Sequence, residues 1–177
     1  MTLKQYEAVI QTLERLGGIA TLGQLNQEVF KIANCNWNTK TPFASIRRIV
    51  QTRPKEIYKV RPGLYALVSH RGVIEGRGIF EQTKHNEEAK EVNEFNHYYY
   101  QGILLMVGEI KKLETYVPAQ DKNRKFIDNR TLAEMSTLQS IPNYSYNNIV
   151  SRSATVDVIW FNERKMPHTF FEVEHST

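Results

Sequence analysis

Hydrophobic and polar residues alternate with a helical period over the first part of the chain. Apolar residues recur every three or four positions from Tyr6 to Leu16, and a Gly-Gly pair then ends this helix. The stretch IATLGQLNQEVF repeats the pattern, with Thr21 as its N-cap. The next stretch, NCNWNTKTP, is rich in turn-forming residues. The pattern therefore predicts two amphipathic helices followed by a loop.

A third helix and two short strands are predicted after this loop. The helix, PFASIRRIVQTR, begins with a proline, whose missing N–H is harmless at the first helical position, and Thr41 is its expected N-cap. The runs EIYKV and LYALV are strand-like, and a tight turn that contains Gly63 joins them. Three helices and a β-hairpin in this order predict a winged helix-turn-helix domain over residues 1–70. The helix residues expected to be buried are Phe43, Ile46, Ile49 and Val50.

Polar and basic residues occupy the expected exposed positions of the third helix and the hairpin. Such residues contact the phosphates and base edges of DNA. Residues 1–70 carry a net charge of +6 and residues 71–177 one of −2, so the basic part is expected to face a polyanion. The alternatives are a protein-docking domain and a basic helix without a ligand. The expected DNA contacts are Lys40, Ser45, Arg47, Arg48, Gln51, Lys59 and Arg61.

The stretches TPFASIRRIV and IYKVRPGLYALV resemble the HARE-type winged helix. Domains of this type are attached to restriction endonucleases and to some RNA polymerase accessory subunits. The resemblance covers about the first 70 residues. It implies a winged-helix fold, with binding to double-stranded DNA as the expected function.

A long apolar helix is predicted after a glycine-containing stretch of mixed charge. We expect a linker over residues 71–84 and a second domain over residues 85–177. The helix pattern starts at Glu87, and its centre, YYYQGILLMVGEI, is apolar nearly all round, which is typical of a helix packed inside a domain. Gly102 and Gly108 predict close contact between this helix and a sheet, or a kink.

Shorter elements are predicted next. TYVPAQDKNRKF reads as a short strand with a basic tail, in which Lys122, Arg124 and Lys125 are candidates for phosphate contact. LAEMSTL is typical of a short helical turn. IPNYSYNNIVSRSA is expected to be a loop, with a composition that fits a DNA-facing surface but is not specific to one.

The sequence closes with two strand-like runs that carry three carboxylates, ATVDVIWF and HTFFEVEHS. With the turn centred between Arg164 and Lys165, the numbers of cross-strand partners add up to 329, so Asp157 lies opposite Glu172. Alternation along the strand places Glu174 on the same face as Glu172. The hairpin is therefore expected to gather three carboxylates on one face.

Carboxylates this close repel one another unless a cation lies between them. Oxygen ligands suit Mg²⁺, which takes one or two carboxylates plus a phosphate, and Mn²⁺ is the expected substitute. Such an ion lowers the pKa of bound water and neutralises charge on a phosphodiester. The alternative is an exposed sheet face on which the acids pair with Lys or Arg. Glu109, at the end of the apolar helix, is either a solvated residue or a carboxylate that points at the metal.

The pattern D-x14-E-x-E in two adjacent strands, after a helix that bears Glu, resembles the P-D-(D/E)-x-K nuclease fold of restriction endonucleases. VDVIWF and FFEVEHST are similar to a subset that often follows a HARE-type module. The resemblance implies that Asp157, Glu172 and Glu174 are catalytic, and that Asp157, Glu172 and Glu109 hold the metal, with the Val173 carbonyl as a further ligand. Glu174 stands where the superfamily usually has Lys, so the site is either an active E-x-E variant or an inactive one.

These resemblances imply an α+β protein with an N-terminal winged helix and a C-terminal restriction-endonuclease-like core. The superfamily continues past the motif with another helix and strand, so we expect the core to be incomplete at its C-terminal end. The expected function is Mg²⁺-dependent hydrolysis of double-stranded DNA by a homodimer of the type II restriction class. The alternatives are a non-catalytic DNA-binding regulator and a protein-docking adaptor.

The amino-acid composition excludes several further kinds of site and of protein. The single cysteine, Cys35, excludes an intrachain disulfide framework and a cysteine-rich zinc site. No apolar run approaches the roughly 20 residues of a membrane-spanning helix. The amphipathic, acid-containing start of the chain is unlike a signal peptide. We therefore expect a cytoplasmic protein without a membrane partner.

Overall fold

The computed structural model describes residues 2–86 and 88–174 and has the expected α+β fold, with helices and two small antiparallel sheets. It divides into two compact units, Met1–Val92 and Asn93–Thr177. Glu87, the expected start of the long helix, lies outside the described residues. None of the helices in the described part of the chain combines the length and the apolar character that crossing a membrane requires.

The first unit contains the predicted three helices and hairpin, together with a strand and a helix that were not predicted. Its helices are α1 (Gln5–Arg15), α2 (Leu22–Glu28), α3 (Pro42–Thr52) and α4 (Arg71–Glu75), with short 3-10 helices at Val29–Lys31 and Val68–His70. Its strands are β1 (Ile19–Thr21), β2 (Ile57–Arg61) and β3 (Leu64–Leu67), in the sheet order β1-β3-β2. Thr21 caps α2 as predicted, because its Oγ1 accepts a hydrogen bond from the Gln24 N–H at 3.1 Å.

The expectations for the start of α3 are met only in part. Phe43 was expected to be buried with Ile46 and Val50, but 56% of its surface is exposed. It lies in the first turn of the helix, where its ring meets the edge of the Phe30 ring instead of the core. Thr41 is the N-cap residue as predicted, yet its side chain makes no capping hydrogen bond. Proline at the first helical position is confirmed.

Residues 71–84, expected to be a linker, belong to the first unit and include α4. Ile74 and Ile79 in this segment are buried. The guanidinium group of Arg61 donates a hydrogen bond to the Phe80 carbonyl at 2.7 Å. The segment after the hairpin is therefore packed onto the unit that precedes it.

The second unit is built around one long helix and a three-stranded sheet. Its elements are α5 (Lys90–Ile110, which starts shortly before the unit boundary), β4 (Glu114–Tyr116), α6 (Leu132–Met135), α7 (Asn147–Ser153), β5 (Val158–Phe161) and β6 (Pro167–Phe171). The sheet order is β4-β5-β6. The short helical turn predicted in LAEMSTL is confirmed by α6. The stretch IPNYSYNNIVSRSA was expected to be a loop, which is wrong because it contains α7.

Strands β5 and β6 pair in the predicted register from Val158 to Trp160, and the pairing shifts by one residue at Phe161. Val158 lies opposite Phe171, and Trp160 lies opposite Thr169. All residues of β5 are buried, whereas β6 alternates between partly buried and exposed positions. The strand that follows Asp157 is therefore the central strand of the sheet.

Two glycines let α5 approach the rest of the second unit closely. A Cβ atom on Gly102 would lie 2.3 Å from the Phe126 ring, and one on Gly108 would lie 2.8 Å from Trp160 Nε1. The indole N–H of Trp160 donates a hydrogen bond to the Leu104 carbonyl at 3.1 Å. The predicted close contact between helix and sheet is confirmed, and it fixes α5 relative to the central strand.

Candidate active site

Three potential metal ligands meet at the start of β5. They are His97 on α5, Asp121 after β4 and Asp157 directly before β5, and we call them the acid–histidine cluster. One ligand atom from each lies within 4.8 Å of the other two. Both aspartates are buried, and His97 is partly exposed. Within residues 2–86 and 88–174, this is the only group of three or more His, Cys, Asp or Glu side chains with such spacing.

Hydrogen bonds hold both carboxylates of the acid–histidine cluster. Asp157 Oδ2 accepts from the Val173 N–H at 2.7 Å, and its Oδ1 lies 3.3 Å from His97 Nε2. The buried Gln101 donates from Nε2 to Asp121 Oδ2 at 2.8 Å and lies 3.4 Å from Asp157 Oδ1. His97 and Gln101 are four residues apart, so α5 presents both side chains from one face. The cluster is thus organised by the helix and by the backbone just after β6.

Glu172 lies within the electrostatic field of this cluster. It follows β6 and is exposed as a whole residue. Partial burial of the carboxyl group, the charge of Asp157 and a hydrogen bond with Asp157 raise the pKa of Glu172 above its ordinary value. The charge of Glu174 adds to this increase, and His97 opposes it. Glu172 therefore lies close enough to Asp157 and to Glu174 to interact with each, while the catalytic roles of these acids stay a prediction.

Replacing Glu172 with Gln is expected to stabilise the protein at neutral pH without divalent ions. Folding raises the pKa of Glu172, so the ionised side chain lowers the free energy of unfolding. This loss of stability is complete above the pKa in the folded state. It disappears below the ordinary pKa of 4.5, where the side chain is protonated in both the folded and the unfolded state. Since the residue is exposed, the expected gain is below about 1 kcal/mol. Thermal unfolding in EDTA at neutral pH and below pH 4.5 measures it. Glu163→Gln, in the β5–β6 turn, is the control, and a neutral-pH stability of Glu172→Gln no higher than that of the parent would contradict the expectation.

Glu109 is not part of this site. It is exposed near the C-terminal end of α5, more than three helical turns beyond His97. At a rise of 1.5 Å per residue, this separation corresponds to about 18 Å along the helix axis. The expectation that Glu109 holds the metal is therefore wrong. The helix contributes His97 to the acid–histidine cluster, and Gln101 as a hydrogen-bond partner of its aspartates, instead of an acid.

His97, Gln101 and Asp121 were not expected from the sequence. Two polar side chains four residues apart inside an apolar helix are a usable signal, because buried polar groups need partners. This signal distinguishes His97 and Gln101 from their apolar neighbours. Asp121 lies in a polar, charge-rich stretch, and no local pattern separates it from the other acids there.

The comparison with known families places this site in the context of restriction enzymes. Residues 79–177, more than half of the chain, match the family described as the type II restriction enzyme NmeDI C-terminal domain. The chain belongs to this family. The acid–histidine cluster, Glu172 and Glu174 all lie inside the NmeDI family region. No curated protein and no solved structure matches the chain.

The segment before the NmeDI family region carries most of the expected DNA-contact residues, and its resemblance to the HARE-type winged helix stays a prediction. Among the described residues no carboxylate forms an ion pair with Arg47 or Arg48. Ser45 is partly buried, and its Oγ donates to the Thr41 carbonyl. The exposed candidates are Lys40, Arg47, Arg48, Gln51 and Lys59.

Arg61 was expected to contact DNA from the hairpin, but its side chain is buried, with 1% exposure. The pairing of β2 with β3 is irregular between Lys59 and Arg61. The side chains of these two residues therefore do not lie on the same face of the sheet, as regular alternation would place them. The Arg61 guanidinium group donates to the Val60 and Phe80 carbonyls. The expectation that Arg61 contacts phosphate is therefore wrong, whereas Lys59 is exposed.

The three basic candidates inside the NmeDI family region differ in their contacts. The Lys122 ammonium group donates to the Gln139 carbonyl. Arg124 pairs with Glu94 at 3.0 Å, and its guanidinium group lies 4.6 Å from the centre of the Tyr98 ring. Lys125 is exposed. The first two must exchange existing partners before they bind a phosphate.

Proposed function

We propose that the protein is a DNA endonuclease of the restriction type that hydrolyses phosphodiester bonds with a divalent cation. The observation that supports this proposal is the convergence of Asp121 and Asp157 inside the NmeDI family region, with Glu172 close to Asp157. Membership of a restriction-enzyme family supports double-stranded DNA as the substrate. The E-x-E pair, Glu172 and Glu174, is proposed to be an active variant.

The side chains present fit a hard divalent cation. Asp121 and Asp157 are buried close together, and partial burial together with the neighbouring acids raises the pKa of Glu172. Asp121 and Asp157 are the proposed ligands of Mg²⁺, with Glu172 beside Asp157 as a further one, and Mn²⁺ is the proposed substitute. The bound ion supplies positive charge beside a phosphate and makes a neighbouring water more acidic.

The chain's own groups prepare the site before substrate arrives. The Val173 N–H fixes one oxygen of Asp157, and Gln101 and His97 approach the other, so the carboxylate needs little reorganisation. Glu174 is proposed to accept a proton from the attacking water. In the overall reaction the water oxygen bonds to phosphorus, one ester P–O bond breaks, and the leaving oxygen takes up a proton.

The same contacts favour one competing function, a DNA-binding regulator without catalysis. Gln101 and His97 already contact both aspartates, and such a buried polar network can serve structure alone. In that case the protein would bind DNA through its basic first unit and leave it intact.

A cleavage assay on a mixture of unmethylated plasmid DNA and unmethylated long linear DNA distinguishes the two functions. The proposal predicts nicked and cut products with Mg²⁺ or Mn²⁺ and none in EDTA. Binding of the same DNA without cleavage in either metal would favour the regulator. A homodimer is the proposed assembly, because cutting a duplex requires one site for each strand, and sedimentation analysis tests it.

Replacing Arg47 and Arg48 with Ala is expected to weaken binding to duplex DNA. Each phosphate contact that is lost reduces the magnitude of the slope of log K against log salt concentration by about 1. The slope of the double variant should therefore be smaller in magnitude by about 2. Fluorescence anisotropy over a range of salt concentrations measures this slope. Lys84→Ala with Lys90→Ala removes the same charge from other exposed positions and is the control. An unchanged slope for the Arg47 and Arg48 variant would reject their placement at DNA.

A further inference from the structure

His97 is oriented by the backbone of Val173. Its Nδ1 lies 3.3 Å from the Val173 carbonyl oxygen, which accepts hydrogen bonds but cannot donate them. This contact is a hydrogen bond when Nδ1 carries the proton. The N–H of the same residue holds Asp157 Oδ2. The backbone N–H and C=O of one residue, Val173, therefore position both the aspartate and the histidine.

With the proton on Nδ1, the neutral ring directs the Nε2 lone pair towards two carboxylates. Nε2 lies 3.3 Å from Asp157 Oδ1 and 4.0 Å from Asp121 Oδ2. Acceptors that face one another at this distance need a proton or a cation between them. Histidines that bind metals commonly donate their other ring N–H to a backbone carbonyl, as the Val173 contact allows.

Apart from His97, no basic side chain pairs with the carboxylates of the acid–histidine cluster in the part of the chain that the structure describes. Among the described residues, neither Asp121 nor Asp157 forms an ion pair with a Lys or Arg. Gln101 contacts both carboxylates but is neutral, and its buried Oε1 makes no hydrogen bond within the described part of the chain. An added cation would supply the missing charge.

From this geometry we infer that His97 is a direct ligand of the cation, together with Asp121 and Asp157. This inference rests on the metal site of the proposed function and extends it to the helix. Imidazole suits transition metals, whereas carboxylates alone suit Mg²⁺ and Ca²⁺ as well as Mn²⁺. The nitrogen ligand therefore gives the site a preference for Mn²⁺ over Mg²⁺ and Ca²⁺.

Electron paramagnetic resonance of Mn²⁺ bound to the full chain tests the ligand directly. With histidine labelled by ¹⁵N, the manganese signal is expected to show ¹⁵N coupling, which His97→Asn removes and His168→Asn, at an exposed position of β6, retains. In calorimetric titrations His97→Asn is expected to lose at least about tenfold in Mn²⁺ affinity. The loss in Mg²⁺ affinity should be smaller. Mn²⁺ binding without nitrogen coupling, or with equal affinity in parent and His97→Asn, would overturn the inference and indicate a histidine–carboxylate hydrogen bond only.

A second variant tests whether His97 is a ligand if His97→Asn does not fold. It keeps His97 as the sole histidine and carries His70→Asn, His85→Asn, His168→Asn and His175→Asn, the last of which lies outside the described residues. Persistent coupling in this variant supports His97 as the ligand, and absent coupling rejects it. DNA cleavage without ¹⁵N coupling would reject His97 as a ligand but support the nuclease function. Coupling without cleavage would support His97 as a ligand but reject the nuclease function.

Discussion

Asp157→Asn is expected to lower the rate of metal-dependent DNA cleavage by at least about 10³-fold, because a cation at this site contributes several kcal/mol to the transition state. Asparagine keeps the size of the side chain and an oxygen that can accept the Val173 N–H, but it lacks the charge that holds the ion. Initial cleavage rates at saturating Mg²⁺ measure the effect. DNA affinity, measured by anisotropy in EDTA, should stay unchanged.

The matched control for this substitution is Glu109→Gln. Both changes remove one carboxylate charge from the second unit, but Glu109 lies far along α5 from the acid–histidine cluster. Glu172→Gln should behave like Asp157→Asn, and Glu109→Gln like the parent. Cleavage that survives both Asp157→Asn and Glu172→Gln would show that the chemistry takes place elsewhere.

Phe161→Ala is expected to destabilise the protein by about 3–5 kcal/mol, the cost of deleting a large, fully buried aromatic ring. Phe161 is 0% exposed and packs in the core cluster with Tyr116 and Ile159. Urea unfolding of the full chain measures the loss of free energy.

Phe170→Ala in the paired strand is the matched control. Its ring is 48% exposed, so the same substitution should cost about 1 kcal/mol or less. Similar losses for Phe161→Ala and Phe170→Ala would contradict the arrangement in which β5 is central and β6 presents one face to solvent. Because Asp157 precedes β5 directly, that arrangement also decides where the site lies.

The register of the closing hairpin could be predicted from the sequence because its determinants are local. Alternating β-branched and aromatic residues define both strands, and a charged turn between Phe161 and Pro167 leaves one favourable pairing. The same holds for the helices of the first unit, where Thr21 and Pro42 mark two helix starts. In these segments, neighbouring residues carry enough information to fix the structure.

The composition of the site could not be predicted because it depends on contacts between distant segments. His97 and Asp121 meet Asp157 only after α5 has packed on the sheet, and no spacing in the sequence records that meeting. Glu109 was expected at the site because it is an acid on the same helix, but the length of α5 separates it from His97. Arg61 was misplaced because an irregular strand pairing reversed its expected face.

The most direct test of the cation site is a crystal structure of the full chain with Mn²⁺, examined for anomalous scattering. We expect a peak at Asp157, about 2.0–2.6 Å from its oxygen and from an oxygen of Asp121 or Glu172, as is usual for hard divalent ions. The contradicting result is the absence of a peak there at saturating Mn²⁺, with Asp157 still bonded to the Val173 N–H and still in contact with Gln101 and His97.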